Sequence, residues 1–426
     1  GILSEEEFLE PTTKAWKRIV QNIHPDGKVG YIQPIGEDPR RVSKDMTAVY
    51  GVGGTLAFAS EVQRHLYLKD ATLTPFTSSN PSDKVRLNEV VQLDWNWVLD
   101  KQAKAQFDNI TVFDHLRGMF CSTQVVDDNQ DGTPDFLLFQ ADFTSKETRR
   151  FSLVLQNELR LPTPINKMTA RFIPERKDDF AWENDRIAFR MYGPALAKEN
   201  AKGGVDVWTK SVREPIVDAW YQAGDYHQDK GTGLDGYKVG ASLGCGGLGY
   251  LSSDGQFTPS PVFESYKVIE QGPLRLKFEL NFAPVEINGA SIRESRTITM
   301  LTGNHHFSVT SNFVTTGDTT GIQAVAGLVT REENTEVITR TEKSTLYWDP
   351  VMQEKHGFIG TFLLNGKSPT KLLHGHLMIP LSSNISKPAH YQAGALWQKM
   401  DASNIDQFKQ LVTTAEQAAN QPIVIQ

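Results

Sequence analysis

The chain has 426 residues, of which 39% are hydrophobic and 22% charged, and its formal net charge is −7. This length is enough for two or three domains with substantial cores, and the composition is ordinary for a globular protein. The acidic balance disfavours a nucleic-acid partner held by bulk positive charge, while a local basic cleft for one carboxylate stays compatible with it.

Two features bear on membranes and on redox chemistry. No apolar run reaches bilayer length, and the N-terminal stretch GILSEEEFLEP lacks the apolar centre of a signal peptide, so we expect no membrane span. The two cysteines, Cys121 and Cys245, lie far apart and lack the spacing of zinc ligands. Two free thiols are favoured over a disulfide, which the sequence leaves open.

Residues 1–70 are predicted to be a helical segment. Apolar residues recur there at helical spacing: Phe8, Leu9, Trp16, Ile19 and Val20. Acidic residues come early and basic ones late, as the helix dipole favours, and a second helix is predicted to open near Ser43. Two helices cannot bury their apolar faces alone, so this segment must pack against the rest of the chain or a partner.

The helical segment also carries a family resemblance. Residues 24–62, HPDGKVGYIQPIGEDPRRVSKDMTAVYGVGGTLAFASEV, resemble the closing helices of glycoside hydrolase family 105, the unsaturated glucuronyl and rhamnogalacturonyl hydrolases. The resemblance implies one end of an (α/α)6 barrel that removes a 4,5-unsaturated uronic acid. The helices that carry that family's catalytic aspartates have no counterpart here. We therefore expect the remaining barrel to belong to the same or another chain.

The rest of the sequence predicts strands. A polar linker at 72–82 is followed by a predicted small β-sandwich at 84–160, where VVQLDWNWVL, FLLFQADF and RRFSLVLQ have strand lengths. From 165 to 426, a long series of amphipathic strands with short turns predicts two large antiparallel sheets packed face to face. The end, SNIDQFKQLVTTAEQAANQ, is predicted to be a helix capped by its serine.

From about Lys84 onward the chain resembles an uncharacterised bacterial domain family associated with polysaccharide-degradation loci. The resemblance rests on VVDDNQDGTPDFLLFQADF, RFIPERKDDFAWENDRIAFRMYGPAL, WTKSVREPIVDAWY, DYHQDKGTGLDGYKVG and GCGGLG. The large β region is also similar to the supersandwich of galactose mutarotases and several polysaccharide lyases. The predicted fold is therefore mainly β: a small β-sandwich plus a large antiparallel β-supersandwich, with a short α-helical N-terminal appendage. The resemblance implies a periplasmic or extracellular location.

One acidic loop has the pattern of a calcium site. Oxygen-bearing side chains alternate around Gly132, at Asp127, Asn129, Asp131, Thr133 and Asp135. This spacing is what a Ca²⁺ loop needs, although position 12 of an EF-hand would be Leu138 instead of Glu. We predict a structural Ca²⁺ here, with a polar turn as the alternative, and no organic cofactor.

The segment from Arg171 to Tyr250 combines three tryptophans with many charged groups. Aromatic faces bind the C–H surface of a sugar ring, while guanidinium and ammonium groups bind a carboxylate. This composition predicts an anionic sugar as the ligand, so the expected partner is an anionic oligosaccharide or polysaccharide. The residues predicted to bind it are Arg176, Trp182, Glu183, Trp208, Arg213 and Lys238.

His227 and Tyr226 are the predicted catalytic residues. Elimination across C4–C5 of a uronic acid needs a neutralised carboxylate, a base for the C5 proton and an acid for the leaving oxygen. Arg176, Arg213 and Lys238 are candidates for the first role, with His227 and Tyr226 for the other two. The favoured hypothesis is a polysaccharide lyase or oligosaccharide dehydratase.

Two other hypotheses stay open. One is hydrolysis by a carboxylate pair such as Glu175 with Glu183, because glycosidases use two acidic residues. The other is a non-catalytic carbohydrate-binding protein in which the rings and arginines only hold the ligand. The alternate residues His374 and His376 share one strand face, but no nearby ligand completes a metal site, so a polar sheet face is favoured.

Overall fold

The computed structural model describes residues 5–69, 71–155, 164–331, 337–341, 344–364, 371–382 and 385–426. The chain divides into two compact units. The first consists of Gly1–Thr74, Asp108–Ile110 and Leu153–Arg160. The second consists of Pro75–Phe107, Thr111–Ser152 and Leu161–Gln426, so both predicted β-domains contribute to it.

The first unit contains the two predicted N-terminal helices, α1 (Glu5–Gln21) and α2 (Val49–Lys69). The rings of Trp16 and Phe58 meet edge to face with centroids 5.9 Å apart. The second helix begins at Val49 and not near Ser43, because the main chain before it turns back, with Met46 N donating to Ser43 O at 3.2 Å. No described helix of the chain has the length and apolar content needed to cross a bilayer.

A small β-sandwich opens the second unit. Its five-stranded sheet, in the order β27-β1-β7-β3-β4, comprises β1 (Thr72–Ser79), β3 (Ile110–Asp114), β4 (Met119–Phe120), β7 (Thr148–Leu155) and β27 (Val424–Ile425). Its three-stranded sheet, in the order β2-β6-β5, comprises β2 (Arg86–Asp94), β5 (Thr123–Val126) and β6 (Phe136–Phe143). The predicted linker at 72–82 is thus largely a strand, because Phe76 packs on Phe139 and Phe151 inside the sandwich.

Three further sheets build the large β region. The sheet that carries the candidate site, in the order β12-β11-β10-β9-β8, comprises β8 (Thr169–Ile173), β9 (Asp179–Glu183), β10 (Ile187–Met191), β11 (Val205–Lys210) and β12 (Gly233–Asp235). A second five-stranded sheet, in the order β14-β13-β20-β25-β24, comprises β13 (Cys245–Leu251), β14 (Phe257–Pro259), β20 (Gln323–Val329), β24 (Lys371–Leu373) and β25 (His376–Ser382).

A nine-stranded sheet is the largest element of the fold. In the order β15-β16-β18-β19-β26-β23-β22-β21, with β17 paired to β18, it comprises β15 (Phe263–Gln271), β16 (Arg275–Phe282), β17 (Val285–Ile287), β18 (Ala290–Leu301), β19 (His306–Thr316), β21 (Val337–Thr341), β22 (Ser344–Asp349), β23 (Ile359–Leu364) and β26 (Ala389–Trp397). Neighbouring strands pair antiparallel. The prediction of a mainly β protein with several antiparallel sheets and few helices is confirmed.

Short helices complete the second unit: α3 (Trp95–Lys101), α4 (Val217–Ala223), α5 (Gln353–His356) and α6 (Ile405–Asn420), with 3₁₀ turns at Pro39–Arg41 in the first unit and at Pro174–Arg176 and Pro194–Glu199. The C-terminal helix α6 is capped by Asn404 and not by Ser403, because the Asn404 side chain accepts from the amides of Asp406 and Gln407. Both cysteines are free thiols.

Aromatic rings hold the site-bearing sheet against the nine-stranded sheet. Trp182 is fully buried and its ring lies 5.7 Å from Phe189, 5.3 Å from Phe278 and 5.5 Å from Phe307. Such ring pairs add stability beyond the area they bury. One face of the site-bearing sheet therefore belongs to the main core.

The opposite face of this sheet holds a buried ion pair. Lys210 and Glu183 have fully buried side chains, with Lys210 Nζ 2.6 Å from Glu183 Oε2. Glu183 also accepts from the backbone amides of Ile216 and Val217, at the start of α4. The carboxylate thus joins two strands to the helix that covers them.

Replacing Lys210 by methionine should destabilise the fold strongly. Glu183 would be left buried without its cation, which costs about 3–5 kcal/mol in the free energy of unfolding. Urea denaturation of both proteins measures the difference. The matched control is Lys167→Met, since Lys167 pairs with Glu214 at the surface and such pairs contribute about 0–1 kcal/mol. Equal losses for the two variants would contradict the prediction.

Candidate active site

The site is built on the polar face of the sheet β12-β11-β10-β9-β8. Successive strand residues point to opposite faces, so Phe180 and Trp182 enter the core while Asp179 faces the other way. The register places Arg190 opposite Asp206 and Trp208 opposite Asp235. Charged residues from four neighbouring strands therefore meet on one face.

Arg190 is the centre of this charged face. Its Nη2 donates to Asp206 Oδ2 at 2.5 Å and to Asp235 Oδ2 at 3.0 Å, and its Nη1 lies 3.7 Å from Asp179 Oδ2. All four side chains are at most 5% exposed. The guanidinium also lies over the ring of Trp208, 5.0 Å from its centroid. Three carboxylates thus share one buried cation.

The excess of buried carboxylates determines their protonation. Burial raises the pKa of Asp179 to about 6, although Arg190 and Arg176 act against it. Burial and repulsion from Asp206 raise the pKa of Asp235 to about 8. Burial by itself would lower the pKa of Arg190, but the neighbouring carboxylates raise it well above its ordinary value. At neutral pH the cluster therefore holds a proton on a carboxyl group.

His227 lies at the exposed edge of this cluster. Its side chain is 60% exposed, its ring contacts Tyr226, and its Nδ1 lies 3.0 Å from the carbonyl oxygen of Asp235. A carbonyl can only accept a hydrogen bond, so this contact assigns the proton to Nδ1 and leaves the lone pair of Nε2 free. The Asp235 carboxyl group lies 3.6 Å from the same Nδ1.

Tyr226 lies behind His227 among aromatic rings. Its ring packs against Trp208 and is stacked with Trp220, and it is 4% exposed. Its hydroxyl oxygen accepts from Arg176 Nε at 3.1 Å and from Arg190 Nη1 at 3.5 Å. The phenol therefore points at two guanidinium groups, and its own proton stays available for donation.

A cavity of about 420 Å³ opens beside these groups. The residues that line it are Arg176, Lys177, Asp179, Arg190, Tyr192, Leu196, Glu199, Asn200, Ala201, His227, Gly240 and Ala241. Cations, an imidazole and two carboxyl groups thus share one opening of ligand size. The 3₁₀ turn at Pro174–Arg176 presents Arg176, and Lys177 follows with φ of 53°.

Some residues predicted to bind substrate lie away from the cavity. Trp182 and Glu183 have no exposed surface, since one is in the core and the other holds Lys210, so neither can touch a ligand in this structure. Trp208 is also fully buried, beneath Trp220 and Tyr226, and its ring supports Arg190 from behind. The tryptophans pack the site instead of presenting a stacking platform.

The two remaining predicted cations are exposed but do not line the cavity. Arg213 Nη1 donates to the carbonyl oxygen of Asp185 at 3.2 Å, beyond the other end of the sheet. Lys238 has no hydrogen bond or ion pair with any described residue, and it lies two residues before Gly240, which lines the cavity. Of the predicted site residues, the cavity unites Arg176 and His227, with Tyr226 directly behind them.

Four charged residues of the cluster were not predicted: Asp179, Arg190, Asp206 and Asp235. The sequence indicates three of them through charged residues placed among apolar ones in the strands DFAWE, IAFRM and VDVWTK. A charge on the inward face of a strand needs a partner, so three such strands in succession indicate a buried ionic cluster. Which charges meet depends on the register between strands.

In the predicted calcium loop, side-chain oxygens accept hydrogen bonds from backbone amides of the same loop. Asp127 accepts from the amides of Asp131 and Gly132, while Asn129 accepts from Asp131 and Asp131 accepts from Thr133. The oxygen donors suit Ca²⁺, but they face amides, and no group of three or more acidic, His or Cys side chains in the described part of the chain is arranged for a metal. Asp135 accepts from the amide of Asp128 at 2.6 Å. Calcium binding stays a prediction.

Two family profiles match the chain. Residues 79–425 match the family described as Domain of unknown function (DUF4861), and residues 1–66 match Glycosyl Hydrolase Family 88. Both predicted resemblances, to an uncharacterised domain family and to unsaturated uronyl hydrolases, are confirmed by these matches and by similar proteins.

Similar proteins occur in Formosa agariphila and in Alteromonas. "Uncharacterized protein P7" of Formosa agariphila is 30% identical over 321 residues, covering 72% of this chain and 78% of that protein. An unsaturated 3S-rhamnoglycuronyl hydrolase of Formosa agariphila is 37% identical over 62 residues, covering 15% of this chain and 16% of the enzyme. The enzyme of the same name from Alteromonas sp. (strain LOR) is 32% identical over 62 residues, 15% of each protein.

Solved structures that align with this chain include two from Enterococcus faecalis. An α-mannosidase aligns with a TM-score of 0.45 at 10% identity, covering 87% of this chain and 48% of the mannosidase. A protein of Glycosyl Hydrolase Family 38 aligns with a TM-score of 0.47 at 11% identity, covering 87% of this chain and 50% of that one. The chain thus spans about half the length of these structures.

The buried carboxylates should make stability depend on pH. The pKa of Asp235 is about 8 in the folded protein against an ordinary value of 3.8, so between these pH values the folded state binds more protons than the unfolded state. The free energy of unfolding therefore falls as pH rises through this window. Asp235→Asn should lessen the fall, as measured by urea denaturation from pH about 4 to about 8. The exposed control Asp318→Asn should keep the wild-type slope.

Calcium binding by the acidic loop can be tested by thermal unfolding. If Ca²⁺ binds the folded loop, the midpoint should rise with CaCl₂ and fall with EGTA, because a ligand that binds only the folded state stabilises it. Asp127→Asn should abolish the response, while MgCl₂ at equal ionic strength controls for screening. An unchanged midpoint in the wild-type protein would leave the loop as a polar turn.

Proposed function

The chain belongs to the family described as Domain of unknown function (DUF4861), and we propose that it is a carbohydrate-active enzyme that cleaves or dehydrates uronic-acid oligosaccharides by β-elimination. The observation that carries the proposal is His227: its Nδ1 is held by the Asp235 carbonyl, and its ring is exposed beside a cationic cavity. An unprotonated Nε2 next to guanidinium groups is suited to remove a proton adjacent to a carboxylate.

Arg176 is the proposed carboxylate-binding residue. Its Nε donates to Tyr226, while its two terminal nitrogens make no hydrogen bond with the described residues and line the cavity. A guanidinium can bind a carboxylate through two parallel hydrogen bonds. Neutralising the uronate carboxylate in this way would acidify the C5 proton. Lys177 lines the same wall and pairs there with Glu199 at 2.7 Å.

His227 and Tyr226 have complementary proposed roles. The C5 proton would pass to His227 Nε2, and the electron pair of the C5–H bond would form the C4=C5 double bond. The bond from C4 to its oxygen breaks, and that oxygen would take the proton of the Tyr226 hydroxyl. The negative charge left on the phenol oxygen would be compensated by its donors Arg176 and Arg190. The leaving oxygen is a glycosidic oxygen in a lyase and a hydroxyl in a dehydratase.

The aspartates around Arg190 would act through the groups that touch substrate. Asp235 orients His227 through its carbonyl oxygen, and its carboxyl group lies 3.6 Å from His227 Nδ1. Asp179 lines the cavity beside Arg190 and contacts the Tyr221 hydroxyl at 3.3 Å. Holding catalytic groups in one orientation reduces the reorganisation needed at the moment of reaction.

The similar proteins support the choice of substrate class. Residues 1–66 match the Glycosyl Hydrolase Family 88 profile, and two similar enzymes are named unsaturated 3S-rhamnoglycuronyl hydrolases. The product of a β-elimination is an unsaturated uronic acid, which is the kind of sugar that these names describe. The association between the two activities supports the class of substrate, whereas the mechanism is argued from the site. A periplasmic or extracellular location fits this role and stays a prediction.

Hydrolysis is a weaker candidate because its predicted carboxylate pair is not assembled. Glu183 is fully buried against Lys210, and Glu175 pairs with Arg171 at the surface. A glycosidase needs both carboxyl groups at one scissile bond. A non-catalytic binding protein would also use Arg176, but it would have no need of an oriented imidazole with a free nitrogen.

The proposal is tested by ultraviolet absorbance of the conjugated C4=C5 double bond during incubation with uronic-acid oligosaccharides. His227→Ala should lower kcat/KM by about 100- to 10,000-fold, the usual contribution of a general base, while the unfolding midpoint stays near that of the wild type. The matched control is His390→Ala, since His390 is exposed, contacts Thr310 and does not line the cavity.

The products distinguish the three functions. New reducing ends without absorbance would contradict elimination and favour hydrolysis. Binding without turnover by the wild-type protein would favour a carbohydrate-binding protein. Near-normal turnover by His227→Ala would remove His227 from the mechanism even if elimination occurs.

A further inference from the structure

A second cavity, of about 580 Å³, lies in the second unit and shares no lining residue with the cavity beside His227. Four parts of the chain line it: residues 85–92, mostly of β2; the helix α6 and the residues after it; the middle strands of the nine-stranded sheet with the turn at 303–305; and Arg186, between β9 and β10. Its volume falls within the range of about 300–1,000 Å³ that is typical of ligand sites. None of the groups assigned to β-elimination faces it.

The sheet wall of this cavity contains a row of polar side chains beside the apolar Leu301, Phe362 and Leu396. The register pairs Thr299 of β18 with Ser308 of β19, and Ser308 with Gln392 of β26. All three line the cavity, whereas Phe307 and Ala393, their neighbours in sequence, are buried in the core on the opposite face. Gln392 Nε2 donates to Ser308 Oγ at 3.2 Å, so the hydroxyl proton of Ser308 stays available.

His306 extends this row toward one end of the cavity. It faces Gly394 across the strands, and a Cβ at Gly394 would lie 2.6 Å from the Cβ of His306 and from the ring of Phe362. Because Gly394 has no side chain, there is room beside it for His306, whose imidazole makes no hydrogen bond with the described residues. Burial lowers the pKa of His306 to about 4. A neutral imidazole offers one donor and one acceptor, which matches two adjacent sugar hydroxyls.

Charged side chains lie at the end where His306 is, and Arg186 is the cation among them that lines the cavity. Arg186 lines the cavity, and its Nε, 3.4 Å from Asp185 Oδ2, is buried without a well-aligned hydrogen bond. Burial lowers the pKa of Arg186, Asp185 and Asp401 act against this effect, and the nearby Arg213 lowers the pKa further. His305 also lines the cavity, with Nε2 3.0 Å from Asp401 Oδ1. The Arg186 guanidinium, whose Nε has no hydrogen-bond partner, can therefore donate to an acid group of a ligand in this position.

The helix wall is apolar and built from small residues. The side of α6 that lines the cavity and the segment after it consist of Leu411, Val412, Thr414, Ala415, Ala418, Ala419, Pro422 and Ile423. A sugar ring has hydroxyls around its edge and C–H groups on its faces. It can therefore satisfy a polar sheet wall and contact an apolar helix wall at the same time. A plain acyl chain would leave the polar row without hydrogen-bond partners from the ligand.

We propose that this second cavity is a separate binding site for an acidic saccharide, with the acid group at Arg186 and the hydroxyls along His306, Ser308 and Gln392. It would hold a second portion of a bound oligosaccharide or a released product. The inference rests on the proposed function only for the class of sugar, since the binding groups and the cavity are independent of the elimination chemistry.

The test is isothermal titration calorimetry with sodium D-glucuronate, together with turnover measured by absorbance. The wild-type protein should bind two equivalents. Ala415→Phe, which places a ring in the second cavity from α6, should bind one equivalent and keep its unfolding midpoint. Arg176→Ala should also bind one equivalent, but at the second cavity. His306→Ala should weaken binding at the second cavity by about tenfold, the loss expected for one or two hydrogen bonds.

The controls separate this inference from the proposed function. A neutral sugar, methyl β-D-glucoside, should bind the second cavity less tightly than D-glucuronate, and Arg186→Gln should remove that preference. One equivalent in the wild-type protein, unaffected by Ala415→Phe and lost in Arg176→Ala, would overturn the second site while leaving elimination intact. Binding of decanoate but not of D-glucuronate, prevented by Ala415→Phe, would also overturn it. Two equivalents without any turnover would contradict the proposed function alone.

Discussion

The candidate site depends on the buried guanidinium of Arg190. It joins Asp206 and Asp235 of two neighbouring strands through one nitrogen, and Asp179 lies within ion-pair distance of another. Without this cation, three carboxylates would be left inside the protein without compensation, a far larger penalty than the loss of a surface ion pair. The same shortage of positive charge keeps the pKa values of Asp179 and Asp235 raised. The Arg190 cluster therefore affects both the stability of the fold and the protonation of Asp179 and Asp235.

This cluster also positions the two groups assigned to proton transfer. Asp235 reaches Arg190 through its carboxylate and His227 through its carbonyl oxygen, so the imidazole is oriented by a residue that the cluster holds in place. Tyr226 is held by the same Arg190 and by Arg176. Fixed orientation on a sheet is what a site needs if its groups are to act without reorganisation. The arrangement explains why a mainly structural ion cluster lies directly under an open cavity.

Much of the fold and part of the candidate site could be predicted from strand alternation and local composition. They indicated the mainly β fold and the segment around Arg176, Tyr226 and His227, because these depend on patterns within a few residues. The ligand roles predicted for Trp182 and Glu183 have no counterpart in the cavity. The composition of the segment predicts that its charged and aromatic residues face a ligand, whereas the fold buries Trp182 in the core and Glu183 against Lys210. Composition does not say which face of a strand is covered.

Alternation along each strand follows from the sequence alone, so the residues of β10 that share a face with Arg190 could be predicted without the fold. The tertiary structure decided that β10 pairs with β11 in a register that sets Arg190 opposite Asp206, and that β12 brings Asp235 to the same place. It also decided that Arg213 lies near Arg186 and not beside His227. The physical reason is that registers and sheet packing join residues far apart in sequence, where one strand's pattern holds no information about its partner.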